Sequence, residues 1–146
     1  MKKRNHKNRN AFTMIEIIAV LVIVGLLAGI AAQNFMGKIE KARVIKTKAD
    51  LKQISSAVKS FKLDTGSYPE EEEGLEVLVE EPVDAEGWDP EGYLATVELP
   101  NDGWNNPFEY QRYPESGKPF VIISYGADGE EGGEGNNADL YSTDAN

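Results

Sequence analysis

FTMIEIIAVLVIVGLLAGIAA, residues 12 to 32, decides how the rest of the chain is read. From Ile17 to Ala32 no side chain is charged or strongly polar, and the run has the length, roughly 20 residues, of a helix that crosses a bilayer. Its only charge is Glu16. Lys2, Lys3, Arg4, Lys7 and Arg9 precede it, with no acidic residue among the first ten, so the N-terminus is expected to stay cytoplasmic while the remainder crosses. Three readings fit the carboxylate. In an ordinary secretory signal the run would be lost by cleavage near Gly29 and Ala31, although it exceeds the usual apolar core of about 7–15 residues. In a simple anchor Glu16 would reach back to the interface. In a functional membrane segment it would have a partner, the default expectation for an ionisable group in lipid.

Working outward toward the C-terminus, no helix stop follows. Residues 33 to 63 carry Phe35, Ile39, Ala42, Ile45, Ala49, Ile54, Val58 and Phe61 at mostly three- and four-residue steps, with lysines, arginine and polar residues between them. That is an amphipathic continuation of the same helix, interrupted only by Gly37, and its stripe must be buried on the chain that follows. DTGSYP, 64 to 69, ends it with turn formers and a proline.

From Asp64 onward 22 acidic residues face two basic ones, Arg112 and Lys118. That imbalance argues against a nucleic-acid partner and suits solvent, cationic partners or a divalent cation. With no cysteine, a disulfide framework and thiolate zinc are excluded. A part of about 80 residues has a marginal core and tends to need a staple. EEEGLEVLVEEP holds a short helical pattern with Leu75, Leu78 and Val79 on one face. YLATVEL (93 to 99), FEYQRY (108 to 113) and FVIISYG (120 to 126) read as strands, the last two joined through PESGKP, giving a small antiparallel sheet against the helix. The fold class expected is α+β. Tyr68, Pro69, Trp104, Pro107 and Tyr110 are expected to shape loops and pack on the sheet.

The glycine-rich tail, ADGEEGGEGNNADLYSTDAN, places Asp128, Glu130, Glu131, Glu134 and Asp139 in one segment. Two readings stay open on composition: a solvated, turn-rich loop, or a site for a hard cation such as calcium, which takes six to eight oxygens, main-chain carbonyls included. The spacing is not that of an EF-hand. No catalytic set is present. The single histidine, His6, precedes the apolar run, and there is no thiol, no GxSxG and no phosphate loop; the chain is not expected to be an enzyme.

The basic leader, a small residue, then FTMIE and about twenty apolar positions resemble the processing signal of type IV pilins and pseudopilins. The resemblance implies a leader of residues 1–11, cleavage by a prepilin peptidase between Ala11 and Phe12 with methylation of the new Phe12 amine, and an assembly helix over 12–32. Family members most often have glycine where this chain has Ala11. Glu16 would then meet the Phe12 amine of a neighbouring subunit, a pairing that makes a carboxylate tolerable in hydrocarbon.

Three further stretches narrow the resemblance. YPEEEEGLEVLVEEP, LPNDGWNNPFEY and SYGADGEEGGEGNNADL are similar to YPxxxxGLxxLVxxP, LPxDPWGNPxxY and SxGADGxxGGxGxxADI of the major pseudopilins of type II secretion, the general secretion pathway protein G family. Gly103 and Asn105 stand where that family usually has proline and glycine. The resemblance implies a pilin-like fold, a long helix packed on a small antiparallel sheet, with 33–63 continuing the helix and 64–146 forming the globular part. It also implies calcium in the acidic loop, with Asp128 and Asp139 as side-chain ligands and the Tyr125 carbonyl as a further oxygen. The implied setting is a single pass through the inner membrane with the C-terminal part periplasmic. The subunit would assemble into a homopolymer, the periplasmic pseudopilus, with minor pseudopilins and an inner-membrane platform as partners. Two alternatives are a major subunit of a surface type IV pilus and a secreted calcium-binding module.

Overall fold

A computed structural model describes residues 12–83, 86–114 and 117–144. The chain divides into two units, Met1–Lys38 and Ile39–Asn146. The leader positions named above, Ala11 among them, lie outside the described residues.

In the first unit, helix α1 (Met14–Thr65) begins. Its start is set by Thr13. The Thr13 hydroxyl accepts from the Glu16 amide (3.3 Å), while the Glu16 carboxylate accepts from the Thr13 amide (2.8 Å) and hydroxyl (2.9 Å). This is a reciprocal capping box, T-x-x-E, which satisfies amides that have no partner in the first turn of a helix. Beyond it, Ile17, Val20, Leu21, Ile23, Val24 and Leu27 are all exposed.

The second unit is built on the later turns of α1. Leu51, Ile54, Ala57, Val58 and Phe61 are buried and join Leu75, Leu78, Tyr110, Phe120 and Ile122 in one core. Thr47 extends the buried stripe by one turn. The stripe therefore runs 47, 51, 54, 58, 61. Ile45 is 60% exposed and Phe35 65%; Ala42 and Ala49 are exposed as well. These four, expected in the stripe, lie on another face, because the step from Ala49 to Ile54 is five residues and crosses from one helical face to the next. The helix ends where Gly66 takes φ +86°, a left-handed C-terminal position that favours glycine.

Strand β1 (Glu109–Arg112) pairs antiparallel with β2 (Phe120–Ser124), and β2 with β3 (Leu140–Tyr141), in the order β1-β2-β3. All of β2 is buried, Phe120 and Ile122 within the core against α1. The expected strand over 93 to 99 does not form. Those residues are bends that no strand pairs with; only Leu94 is buried, and Val97 is 90% exposed. Tyr93 packs instead on Phe61 and Trp88, with ring centroids 5.5 and 6.2 Å away. The third strand comes from the acidic tail, where only two residues pair. EEEGLEVLVEEP contains a single 3-10 turn, Glu76–Leu78.

Pro69 is buried, and its carbonyl accepts from the Tyr110 hydroxyl at 3.0 Å. Tyr68 tilts onto Phe120 at 5.3 Å. Trp104 reaches α1, donating its indole N–H to Glu40 (2.9 Å), and Pro107 is exposed.

Candidate functional site

The side chains expected to be functional lie in two places, one in each unit. In the first, Glu16 is held by Thr13 through one oxygen, Oε2; Oε1 has no hydrogen-bond partner among the described residues. Phe12 is 81% exposed, two residues before the helix begins. Over a length sufficient to cross a bilayer this helix is strongly apolar, and none of that stretch is buried among the described residues. A helix with that much apolar surface uncovered is suited to lipid or to other helices, not to water.

In the second, the acidic loop leaves β2 and returns as β3. Its base is closed by the Ala127 amide donating to the Asn136 carbonyl at 2.9 Å. Gly126, at φ +66°, lies so near the Asn136 and Asn137 backbone that a Cβ would come within 2.8–2.9 Å of it. Asp128 Oδ1 accepts from the Glu130 amide (3.3 Å). Both Asp139 oxygens take the Gly132 amide (3.1 Å each), and Oδ2 also accepts from the Tyr141 hydroxyl (3.1 Å). Asp128 is exposed and Asp139 half-buried. Burial raises the Tyr125 and Tyr141 hydroxyls above the usual phenol value, and the negative charge of Glu131 and Asp139 adds to the shift in both. For Tyr141 the hydrogen bond to Asp139 acts in the same direction.

Among the described residues no three His, Cys, Asp or Glu side chains come together as metal ligands. A cation here would therefore draw most of its ligands from carbonyls and water. Carboxylate and carbonyl oxygens on a glycine-rich backbone are donors of the kind calcium takes and a softer metal does not.

One residue the sequence did not single out anchors this loop. Asp102 is 3% exposed. Its Oδ1 accepts from the Trp104 (2.9 Å) and Asn106 (2.8 Å) amides, and Oδ2 from the Ser124 hydroxyl at the end of β2 (2.7 Å). Asn106 then donates its side-chain amide to the Gly126 carbonyl at 2.8 Å. On the other side, the Gly103 amide donates to the Thr47 hydroxyl (2.9 Å), and Lys46 donates to the Asn101 carbonyl (2.6 Å). The acidic loop is thus tied through residues 101–106 to α1. The same geometry explains two departures noted in the sequence. A proline at 103 could not donate to Thr47, and a Cβ there would sit 2.4 Å from the Arg43 carbonyl. Asn105 has φ +75°, the conformation glycine would take and asparagine tolerates.

Residues 34–143 match the family model described as type II secretion system (T2SS), protein G, and residues 6–32 the prokaryotic N-terminal methylation motif. The chain belongs to the type II secretion system protein G family. It is 40% identical to type II secretion system core protein G of Pseudomonas aeruginosa over 94% of this chain and 97% of that one. With the Vibrio cholerae core protein G it shares 37% over 96% and 94%. The crystal structure of the major pseudopilin from the type 2 secretion system of enterohaemorrhagic Escherichia coli superposes with a TM-score of 0.61 at 29% identity, covering 74% of this chain and 92% of that one. The expected pilin-like fold, a long helix with a small antiparallel sheet, is therefore the fold observed. As a protein G family pseudopilin the chain has a structural role in type II secretion. Processing by a prepilin peptidase, membrane anchoring through the apolar helix and filament assembly go with that membership.

Proposed function

We propose that this pseudopilin is the major subunit of a periplasmic filament that drives folded proteins through the outer membrane. The observation that carries the reading is the uncovered apolar helix with one carboxylate fixed in its first turn. Before assembly the subunit crosses the inner membrane once, with its C-terminal part in the periplasm. Prepilin peptidase cuts between Ala11 and Phe12 and methylates Phe12. Glu16 keeps Oε2 on Thr13 and offers Oε1 to the Phe12 amine of the next subunit, so that each added copy neutralises a charge that hydrocarbon would penalise. Minor pseudopilins and the inner-membrane platform are its assembly partners, and the subunit itself catalyses nothing.

The acidic loop holds calcium in this reading, with Asp128 and Asp139 giving carboxylate oxygens, Tyr125 its carbonyl, and other carbonyls and water completing the shell. Bound calcium would tie the two arms of the loop and add its binding free energy to the folded state. Mass spectrometry of the mature N-terminus from native-host membranes tests the first part. N-methylated Phe12 is expected; an N-terminus near residue 32 would remove Glu16 and end the assembly argument. In the Glu16→Ala chain, normal insertion with few or no filaments is expected, and wild-type filament yield would rule out the pairing.

A further inference from the structure

One side chain fastens the acidic loop to the turn at 101–106. Among the described residues, Asn106 is the only residue outside β2, the loop and β3 whose side chain hydrogen-bonds into residues 125–139. Its carboxamide donates to the Gly126 carbonyl at 2.8 Å. It also lies beside Gly129, where an added Cβ would come 3.4 Å from the Asn106 Cγ. The carboxamide thus sits against both glycines that bracket Ala127 and Asp128. Gly126 is buried, while residues 127–130 are exposed.

Donor and target are anchored on the same buried carboxylate. Asp102 Oδ1 accepts the Asn106 backbone amide, and Oδ2 accepts the hydroxyl of Ser124, two residues before Gly126. Asp102 and Ser124 are both buried, and hydrogen bonds shielded from water are electrostatically strong. Ser124, Tyr125, Gly126, Asn106 and Asp102 therefore close a ring of chain and hydrogen bonds. The loop's first arm, with Tyr125 and Asp128, grows out of that ring. Its far side, residues 130–138, rests on contacts made within the loop: the Asn137 amide on the Glu134 carbonyl (3.2 Å), the Ala127 amide on the Asn136 carbonyl, and the Gly132 amide on Asp139. Only a side chain with an N–H donor of this length serves at 106. Aspartate has the size but no proton to give, and alanine has neither.

We infer that Asn106 is a positioning residue for the cation site: its N–H fixes the arm that carries Tyr125 and Asp128, and so sets calcium affinity without touching the ion. The inference rests on the reading of the acidic loop as a calcium site. An arm that is already fixed loses less freedom when the ion binds, which strengthens binding. Removing a group that orients metal ligands from outside typically weakens metal affinity about 10- to 100-fold.

The test uses the full-length chain in detergent, stripped of metal by a chelator and then titrated with calcium. Asn106→Asp is the sharpest variant, because it brings a further negative charge to the loop while deleting the donor. If charge governed the site, or if Asn106 gave the ion an oxygen, this variant would bind calcium more tightly. Positioning predicts the reverse, a loss of about 10- to 100-fold in Asn106→Asp and Asn106→Ala alike. In chelator, hydrogen exchange at the Gly126 and Ala127 amides should speed up in both variants, with β2 and α1 unchanged. Wild-type or tighter calcium binding by either variant would overturn the inference. Unchanged exchange at Gly126 and Ala127 would overturn it too, and so would acceleration spread over β2 and α1, the mark of a general loss of stability. Should Asn106→Asp fail to fold beside Asp102, Asn106→Ala decides through the same two readouts. A wild-type chain that binds no calcium would defeat the calcium reading and with it the claim on affinity; the exchange measured in chelator would still decide whether Asn106 holds the arm.

Discussion

Residues 14 to 31 and residues 47 to 61 belong to one continuous helix, yet they relate to the rest of the chain in opposite ways. In the first stretch the large apolar side chains are between 49% and 84% exposed. In the second, Leu51, Ile54 and Val58 are at 0%. Backbone hydrogen bonding is the same in both. What differs is the source of cover: the later turns are covered by this chain's own sheet and loops, while the earlier turns need lipid or other copies. Helix formation is thus a local matter, and burial is where the two halves acquire separate functions.

The sharpest way to break that contrast is to truncate one residue in each half. Ile54→Ala should destabilise the full-length protein in detergent by about 2–5 kcal/mol, as a buried aliphatic truncation does. Val22→Ala should leave the denaturation midpoint nearly where it is, and an equal loss would mean the first half is covered from within. Calcium comes next. At a hundredfold excess over its dissociation constant it should add about 2.7 kcal/mol, reversed by a chelator. Asp139→Ala should abolish that increment. Calcium-independent unfolding of the wild type would remove the metal from the account.

Asp102→Ala sharpens the comparison on the buried side. It strands two amides and a hydroxyl and should cost about 1–3 kcal/mol or more, with extra hydrogen exchange in both the 101–106 segment and the acidic loop. Exchange confined to 101–106 would show that the loop stands without it. On the exposed side, Thr13→Ala removes the capping box and should cost the start of α1 about 0.5–2 kcal/mol, read as faster exchange at residues 14 to 17 only.

The smallest effect is alkaline. Tyr110 is buried and its hydroxyl is raised well above the ordinary phenol value by that burial. The unfolded chain therefore loses this proton first, so the Tyr110 contribution is intact below about pH 10 and declines as pH rises beyond it. Tyr110→Phe should flatten that decline and cost about 0.5–1.5 kcal/mol near neutrality through the lost bond to Pro69. An unchanged alkaline slope would assign it to other tyrosines.

Much of this could be read from residues alone, and the failures have identifiable causes. The helix from the apolar run to DTGSYP, the pairing of FEYQRY with FVIISYG, and the packing of Tyr68, Pro69 and Tyr110 follow from periodicity and turn chemistry. The buried face of α1 is hard to read from periodicity because apolar residues on a second face, Ile45 and Ala49, interrupt the count, and because the true stripe includes a threonine, Thr47. YLATVEL has strand composition but no partner strand, and pairing is not a local property. Leu140–Tyr141 is too short to signal anything. The T-x-x-E capping box is legible in TMIE, although a carboxylate next to a membrane run is equally compatible with a distant partner. Asp102 gave no signal of burial, since its value depends on Ser124 and two amides that only the fold assembles.

The closing of the second unit bears on the order in which the chain is made. Ile122 bonds to Ser142, and β2 is completed by Leu140 and Tyr141, so residues 140–142 are needed to finish the sheet. Phe12 to Ile30 leave the ribosome more than a hundred residues earlier, and among the described residues their large apolar side chains are exposed. A nascent chain that exposes its apolar run before it can close its sheet is aggregation-prone in water over that interval, a hazard that early cover by lipid would remove.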